Sequence, residues 1–377
     1  MKARILEMIK NMFVTRWRLH LDSYKESYFY REMIKVIRII FLSLSLVLVM
    51  VLIWASFNHS LVNYGWHQLK GQMQIINNSR PLEDVLSDPT FPDSLKEKIR
   101  FIDVIARFAH DSLGLERSKN YSTLYDQKNK PILWTITACD KYEFKPYLWH
   151  FPILGNVSYK GFFDFQEGFA EDSILKLKRY DTEYGEVTAW STLGWFKDPI
   201  LSSMLKRSAG QLAELIIHEM THSTIYLKSN VDLNENIASM IGEEGAIRFL
   251  KSHFGLNSKE LNDYISRKAD YDLFSQYMLT SHNQLDSLYK RISSLPISDK
   301  EIQKQKVIQQ IVTGLDSIPF HNPKRYRSLF SELTPNNAYF MNFVRYDSQK
   351  EKMKKELDQK FKGNIVVYLH AIKERNK

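Results

Sequence analysis

Gln211–Tyr226 (QLAELIIHEMTHSTIY) reads as a helix, and inside it His218-Glu219-Met220-Thr221-His222 spells H-E-x-x-H. Residues four apart on a helix project from one face, so both imidazoles can hold one metal ion. Glu219 then lies close enough to act on a metal-bound water. That is the pattern of a zinc-dependent hydrolase, and the expected cofactor is one Zn²⁺ ion.

Two histidines do not complete a catalytic zinc site, which usually has three protein ligands and an open position for water. Downstream, Leu233-Asn234-Glu235-Asn236-Ile237-Ala238 resembles the N-E-x-x-A/S segment in which thermolysin-like and membrane-alanyl-aminopeptidase-like enzymes carry the third ligand. The resemblance makes Glu235 the matching carboxylate. The connection is shorter than in those families, with twelve residues between His222 and Glu235. Glu243 and Glu244 compete for the same place. Glu243 follows Glu235 by about two turns, and its alternative role is to accept a hydrogen bond from a ligand histidine.

If both histidines bind metal, Glu219 faces the cleft, where it takes a proton from water and hands it to the departing amine. A hydrogen-bond donor is needed for the tetrahedral oxyanion. Tyr226, one turn beyond His222, and Tyr159, on a strand bordering the site, are the two candidates. Glu214, four residues before His218, could orient that imidazole. The other nine histidines show no paired metal spacing, so surface or half-buried placement is expected of them.

The chain around this motif is long enough for one large domain or two moderate ones. Its composition is that of a globular protein. Ile39 to Phe57 (IIFLSLSLVLVMVLIWASF) departs from it, being free of charge and long enough to cross a bilayer as a helix. Residues 1–38 hold nine Lys/Arg against four acids, whereas only Lys70 and Arg80 fall just beyond the span. The positive-inside rule therefore puts 1–38 in the cytoplasm and 58–377 outside, in the periplasm of an inner-membrane protein. With that basic segment set aside, the net charge of +9 leaves only a mild excess. No Lys/Arg run is interleaved with aromatics, so nucleic acid is not an expected partner. Cys139 is the single cysteine and lies in an apolar run, which excludes an intramolecular disulfide and a cysteine-type zinc site.

Residues 60–127 read as helix-rich, with Leu95 to Leu113 apolar at helical spacing behind Pro92-Asp93-Ser94. Between 131 and 200, Ile132–Thr137, Ile153–Tyr159 and Glu186–Trp190 are short, rich in β-branched and aromatic residues, and bounded by turn formers. From Ser208 onward the chain reads as almost entirely helical, with Asn234–His253 a helix capped by Asp232 or Asn234 and further helices over 258–293, 299–315 and Lys350–Lys373. The expected fold is α+β and predominantly helical. A small mixed-sheet lobe (131–200) lies over the active-site helix of a helical lobe (208–377), behind one transmembrane helix (39–57).

Four further segments carry a family likeness. They are Tyr64–Gln72 (YGWHQLKGQ) with Arg80-Pro81, Phe151–Phe163 (FPILGNVSYKGFF), Ala189–Leu205 (AWSTLGWFKDPILSSML) and Asn336–Phe340 (NNAYF). With Leu212 to Leu250 they resemble, in order, a family of bacterial proteins labelled predicted aminopeptidases, from about residue 60 to near the C-terminus. The resemblance implies a zincin-like, gluzincin-type metallopeptidase acting on peptides, with His218, Glu219, His222 and Glu235 in the corresponding roles. Members of that family mostly begin with a lipoprotein-type signal, and this chain begins with a cytoplasmic segment and a membrane helix instead. It also has no G-x-M-E-N-like segment to anchor a substrate's ammonium group, so exopeptidase and endopeptidase both stand. One strand, Ile153–Tyr159 or Glu186–Trp190, would take the substrate by strand addition. Two rival readings remain. One is a catalytically inactive, peptidase-like scaffold binding peptide or cell-envelope partners. The other is a membrane-tethered interaction protein with a coincidental motif, whose two histidines would point apart or into a core.

Overall fold

A computed structural model describes residues 2–117, 120–152, 155–187, 197–228, 230–331 and 333–376, with backbone alone at 2–6, 9, 11 and 19–29. The chain divides into two compact units, Met1–Leu69 and Lys70–Lys377. In chain order the elements are α1 (Lys2–Phe57), α2 (His59–Asn78), β1 (Arg80–Pro81), α3 (Leu82–Ser87), α4 (Asp93–Leu113), β2 (Thr123–Tyr125), β3 (Trp134–Asp140), β4 (Trp149–Phe151), β5 (Gly155–Val157) and β6 (Tyr159–Phe162). There follow α5 (Phe165–Leu177), β7 (Tyr180–Glu186), β8 (Ile200–Leu201), α6 (Ala209–Thr224), α7 (Val231–Phe254), α8 (Lys259–Arg291), α9 (Ile297–Gly314), α10 (Pro323–Arg327), α11 (Asn337–Asp347), α12 (Lys350–Phe361) and α13 (Ile365–Arg375).

The first unit is dominated by α1, whose segment Tyr30–Phe57 is long and apolar enough to cross a membrane. The helix does not start at Ile39, where the apolar run begins, because the charged residues before it include no helix breaker.

In the second unit the main core joins α4, α6, α7, α12 and α13. Helix α4 shows why these segments are helices. Ile99, Ile102, Ile105, Ala109 and Leu113 recur on one stripe and are almost fully buried. The helix stops at Gly114, whose φ of 69° admits the left-handed turn that returns the Leu115 N–H to the Ala109 carbonyl. A second apolar cluster joins α8, α9 and α11.

The sheets are small. Strand order is β1-β2-β8 in one and β6-β3-β7 in another, and β4 pairs with β5. The register Trp134↔Glu186 to Asp140↔Tyr180 fixes β7 against β3. Alternation along β7 then divides its side chains. Thr182 and Tyr184 meet α5, whereas Asp181 and Glu183 meet Asn337 and Asn342 of α11. The β6-β3-β7 sheet is thus packed between α5 and α11, and it approaches α7 through α11.

Some expected boundaries move. The strand expected at Ile132–Thr137 begins and ends later. Residues 155–159 of the expected Ile153–Tyr159 strand are divided between β5 and β6 by a bend at Ser158. Of Glu186–Trp190 only Glu186 and Val187 lie among the described residues, and Glu186 ends β7. The cap of α7 is Asn230, whose side chain accepts from the Leu233 N–H at 3.3 Å, not Asp232 or Asn234, which lie inside its first turn.

Candidate metal centre

Helix α6 is started by a reciprocal cap. The Ser208 side chain accepts from the Gln211 N–H, and the Gln211 side chain returns to the Ser208 N–H. From that start the periodicity puts Leu212, Ala213, Ile216 and Ile217 in the core, each fully buried. His218 and His222 are left on an adjoining face. Helix α7 runs back antiparallel along α6 and approaches it closely at two glycines. A Cβ on Gly242 would stand 3.0 Å from the Glu214 carbonyl oxygen and 3.2 Å from the His218 Cβ. A Cβ on Gly245 would stand 2.8 Å from the Ile217 side chain. Absence of side chains there lets α7 lie directly against the histidine-bearing turn.

The short connection is closed by Asn234. Its Oδ1 accepts from the Leu227 N–H at 2.8 Å, and its Nδ2 donates to the Leu227 carbonyl at 2.8 Å. Asn236 fixes the other side of the same turn. Its Nδ2 donates to the Arg345 carbonyl at 2.6 Å, and its Oδ1 accepts from the Gln349 N–H at 2.8 Å. Glu235, between these two buried amides, is aimed at α6.

There the structure brings three side chains together. The Nε2 atoms of His218 and His222 are 3.1 Å apart, and Glu235 Oε2 is 3.4 Å from each. Bonds of about 2.0–2.1 Å at tetrahedral angles give ligand-to-ligand edges of about 3.3–3.4 Å, so the observed triangle is close to one face of a zinc tetrahedron. The donor set, two imidazoles and a carboxylate, suits the same ion. Among the described residues, this is the one such group of three. Histidines that point apart, as a coincidental motif would have them, are not what is found. His222 Nδ1 is buried without a partner; with Nε2 given to a metal, that nitrogen carries the ring proton.

The electrostatics are those of a half-buried charged cluster. Burial works against a charged Glu235, but hydrogen bonds from His218 and His222 outweigh it and hold the carboxyl well below the usual range. Burial likewise opposes a charged His218, yet the hydrogen bond to Glu235 and the charges of Glu219, Glu235 and Glu214 raise its pKa. Glu219 moves the other way. Burial raises its pKa, and the fields of Glu235 and Asp198 add to that against the pull of the two imidazoles. A carboxylate made more basic in this way is suited to take up a proton.

The competing acids are elsewhere. Glu243 is engaged by Lys350 Nζ at 2.6 Å and Lys268 Nζ at 3.0 Å, and Glu244 by Arg248 Nε at 2.7 Å and Lys354 Nζ at 3.2 Å. Neither joins the histidines, because two turns along α7 carry them past the metal-facing turn of α6 to the lysines of α8 and α12. Glu214 is half-buried and accepts from the Tyr264 hydroxyl at 3.2 Å. Burial, with the nearby Glu243 charge, raises its pKa.

Tyr159, at the start of β6 and 39% exposed, has the pKa of its phenol raised by partial burial and by the fields of Glu235 and Glu219. Tyr226 is half exposed on the α6–α7 connection and adjoins Tyr159. Two further residues were not singled out from the sequence. Tyr346 of α11 has its pKa raised by burial and then by Glu235, with Tyr159 and Glu219 also near. Asp198 is buried, exchanges hydrogen bonds with Asn120, and acts on Glu219. The available signal was indirect, since Asp198 lies within Ala189–Leu205 and Tyr346 six residues after Asn336–Phe340.

A cavity of about 620 Å³ between α3, α4 and the chain around Tyr121 is lined by Met220, but by neither histidine of the cluster. It is therefore not the space in front of the three converging side chains.

A family model described as "Putative aminopeptidase" matches residues 63–376, most of the 377-residue chain. No curated protein and no solved structure shows a significant match.

Proposed function

We infer from its family, since the chain belongs to the putative aminopeptidases, that this protein is a zinc-dependent peptidase of the gluzincin type with a zincin-like catalytic core. The observation that carries the reading is the triangle of His218 Nε2, His222 Nε2 and Glu235 Oε2. Those three residues would hold one Zn²⁺. When bound, that ion supplies Lewis acidity, polarising the scissile carbonyl and making water easier to deprotonate.

The chain's own residues do the rest. Glu219, one position from His218 and made basic by burial, takes the proton from the attacking water and returns it to the departing amine. Tyr159, with Tyr226 and Tyr346 beside it, offers a neutral phenol. A phenol is protonated at neutral pH and can donate to an oxyanion. The substrate is a peptide. The β4–β5 and β6 region beside the site offers strand edge for its backbone.

The apolar Tyr30–Phe57 helix supports a single-pass anchor in the plasma membrane. The basic flank of residues 1–38 supports a cytoplasmic N-terminus, and 58–377 would then be an extracytoplasmic catalytic domain. The test is metal analysis of the purified chain together with a peptide-library digest, with and without chelator. One equivalent of zinc and chelator-sensitive cleavage are expected. Metal without cleavage of any peptide, or failure to retain zinc, would overturn the enzyme reading and leave the inactive-scaffold alternative in its place.

A further inference from the structure

Helix α5 is built inside out. Its packed face carries Gly168, Asp172 and Leu175. Gly168 is pressed against the Tyr184 ring, and Asp172 accepts from Thr182 Oγ1. Its outer face carries the large apolar groups. Phe165, Phe169, Ile174 and Leu177 are 42%, 49%, 48% and 84% exposed, and the rings of Phe165 and Phe169 stack on one another at 5.9 Å. At 100° per residue Phe169, Ala170, Ser173, Ile174 and Leu177 fall within about 140° of the helix circumference, interrupted by Gln166, while Phe165 lies at the edge against Trp134 and Tyr184. A helix with a polar residue buried and with Phe169, Ile174 and Leu177 turned to solvent is shaped for a second apolar phase.

We propose that the outer face of α5 docks on the surface of a lipid bilayer containing anionic headgroups. Charge selects that occupant. Leu177, the most exposed of the apolar residues, stands among Lys176, Lys178 and Arg179, all exposed. An apolar tip ringed by cations is the pattern that enters the headgroup boundary. Two acids of α5 are paired, Asp172 with Lys176 and Glu171 with Lys160, and Glu167 borders the patch beside Ile174. The length of the connection allows it too. Twelve residues separate Phe57, the end of the apolar span, from Lys70, the start of the second unit. Residues 59–69 of that stretch belong to α2, and even fully extended, at about 3.3–3.6 Å per residue, the twelve would span no more than roughly 45 Å. Docking on α5 leaves the metal-centre side free, because α11 covers the opposite face of the β6-β3-β7 sheet and leads to α7. The proposal uses the membrane-anchor reading for proximity alone.

The test uses the full chain in liposomes of phosphatidylglycerol and phosphatidylcholine. Native Cys139 is fully buried, so a thiol probe goes selectively to Phe169→Cys, with Leu177→Cys as a second position and Gln309→Cys, exposed on α9, as the control. Spin-labelled lipid should quench the probes at 169 and 177 several-fold more than the one at 309, and omission of phosphatidylglycerol should weaken the effect. Equal quenching at 169, 177 and 309 overturns the proposal. So does a blue shift at 169 that needs no lipid and rises with protein concentration, which assigns the face to a second copy of the chain. Alkaline extraction of the same liposomes reports on the anchor separately. Quenching at 169 with release by alkali keeps the docking face and removes the anchor; retention without quenching does the reverse.

Discussion

Asn234→Ala tests the argument that a six-residue connection is enough to bring Glu235 back to His218 and His222. The side chain is 3% exposed and makes two hydrogen bonds of 2.8 Å to the N–H and carbonyl of Leu227, itself 8% exposed. Truncation leaves both backbone groups buried with no replacement. An unsatisfied buried group costs about 1–3 kcal/mol, so the metal-free protein should lose about 2–4 kcal/mol. With the turn loosened, Glu235 is held by the packing of α7 and the Asn236 hydrogen bonds alone, and metal affinity should fall by about 10–100-fold, the range typical of an outer partner of a ligand. Asn234→Asp keeps an acceptor for the Leu227 N–H but sets a carboxylate against the Leu227 carbonyl, and should be no better than alanine. The assays are urea unfolding of the chain in micelles with chelator present, and competition for zinc with a chromophoric chelator. If Asn234→Ala stays within about 0.5 kcal/mol of the parent and binds zinc as tightly, the connection is not held by this amide and the reasoning fails.

Other outcomes follow from the same site. Glu219→Gln should retain one equivalent of zinc while peptide hydrolysis drops by at least about 100-fold; hydrolysis at parental rate would remove Glu219 as the proton carrier. Glu235→Gln should weaken zinc by more than the roughly 100-fold expected for an outer partner, read in the same competition assay. Gly242→Ala drives a methyl against the Glu214 carbonyl, a backbone atom that cannot swing aside, and should cost about 1–3 kcal/mol of stability with a parallel loss of zinc. Away from the site, burial opposes a charged Asp270, but hydrogen bonds from the N–H groups of Asn322 and His321, and from the His321 ring, hold its pKa below the ordinary value. Its contribution is therefore complete above about pH 4 and lost as pH falls through the folded value. Asp270→Asn should be destabilised at neutral pH, and the gap to the parent should close on acidification.

The candidate site was legible wherever its parts are close in sequence. His218, Glu219 and His222 share two turns of one helix, and a helix dictates which of its residues share a face. Glu235 was reachable through its motif. The choice against Glu243 and Glu244 was not, because it depends on which turn of α7 meets which turn of α6, and Gly242 and Gly245 set that. Strand boundaries moved for a related reason. Short strands are decided by cross-strand partners, and β6 starts at Tyr159 because Thr137 of β3 is its partner there.

What the sequence by itself determined is what repeats at short range: the apolar span, the periodicity that makes most of the chain helical, and the spacing of the histidine pair. Tertiary structure alone decided which distant groups surround that pair. Tyr346 and Asp198 come from segments more than a hundred residues and some twenty residues away, and nothing local marks either as facing Glu219. It also decided that α5 packs through a glycine and an aspartate and leaves Phe169, Ile174 and Leu177 outside. A helical pattern says that a helix has two faces, but only the partner across the interface says which of them is buried.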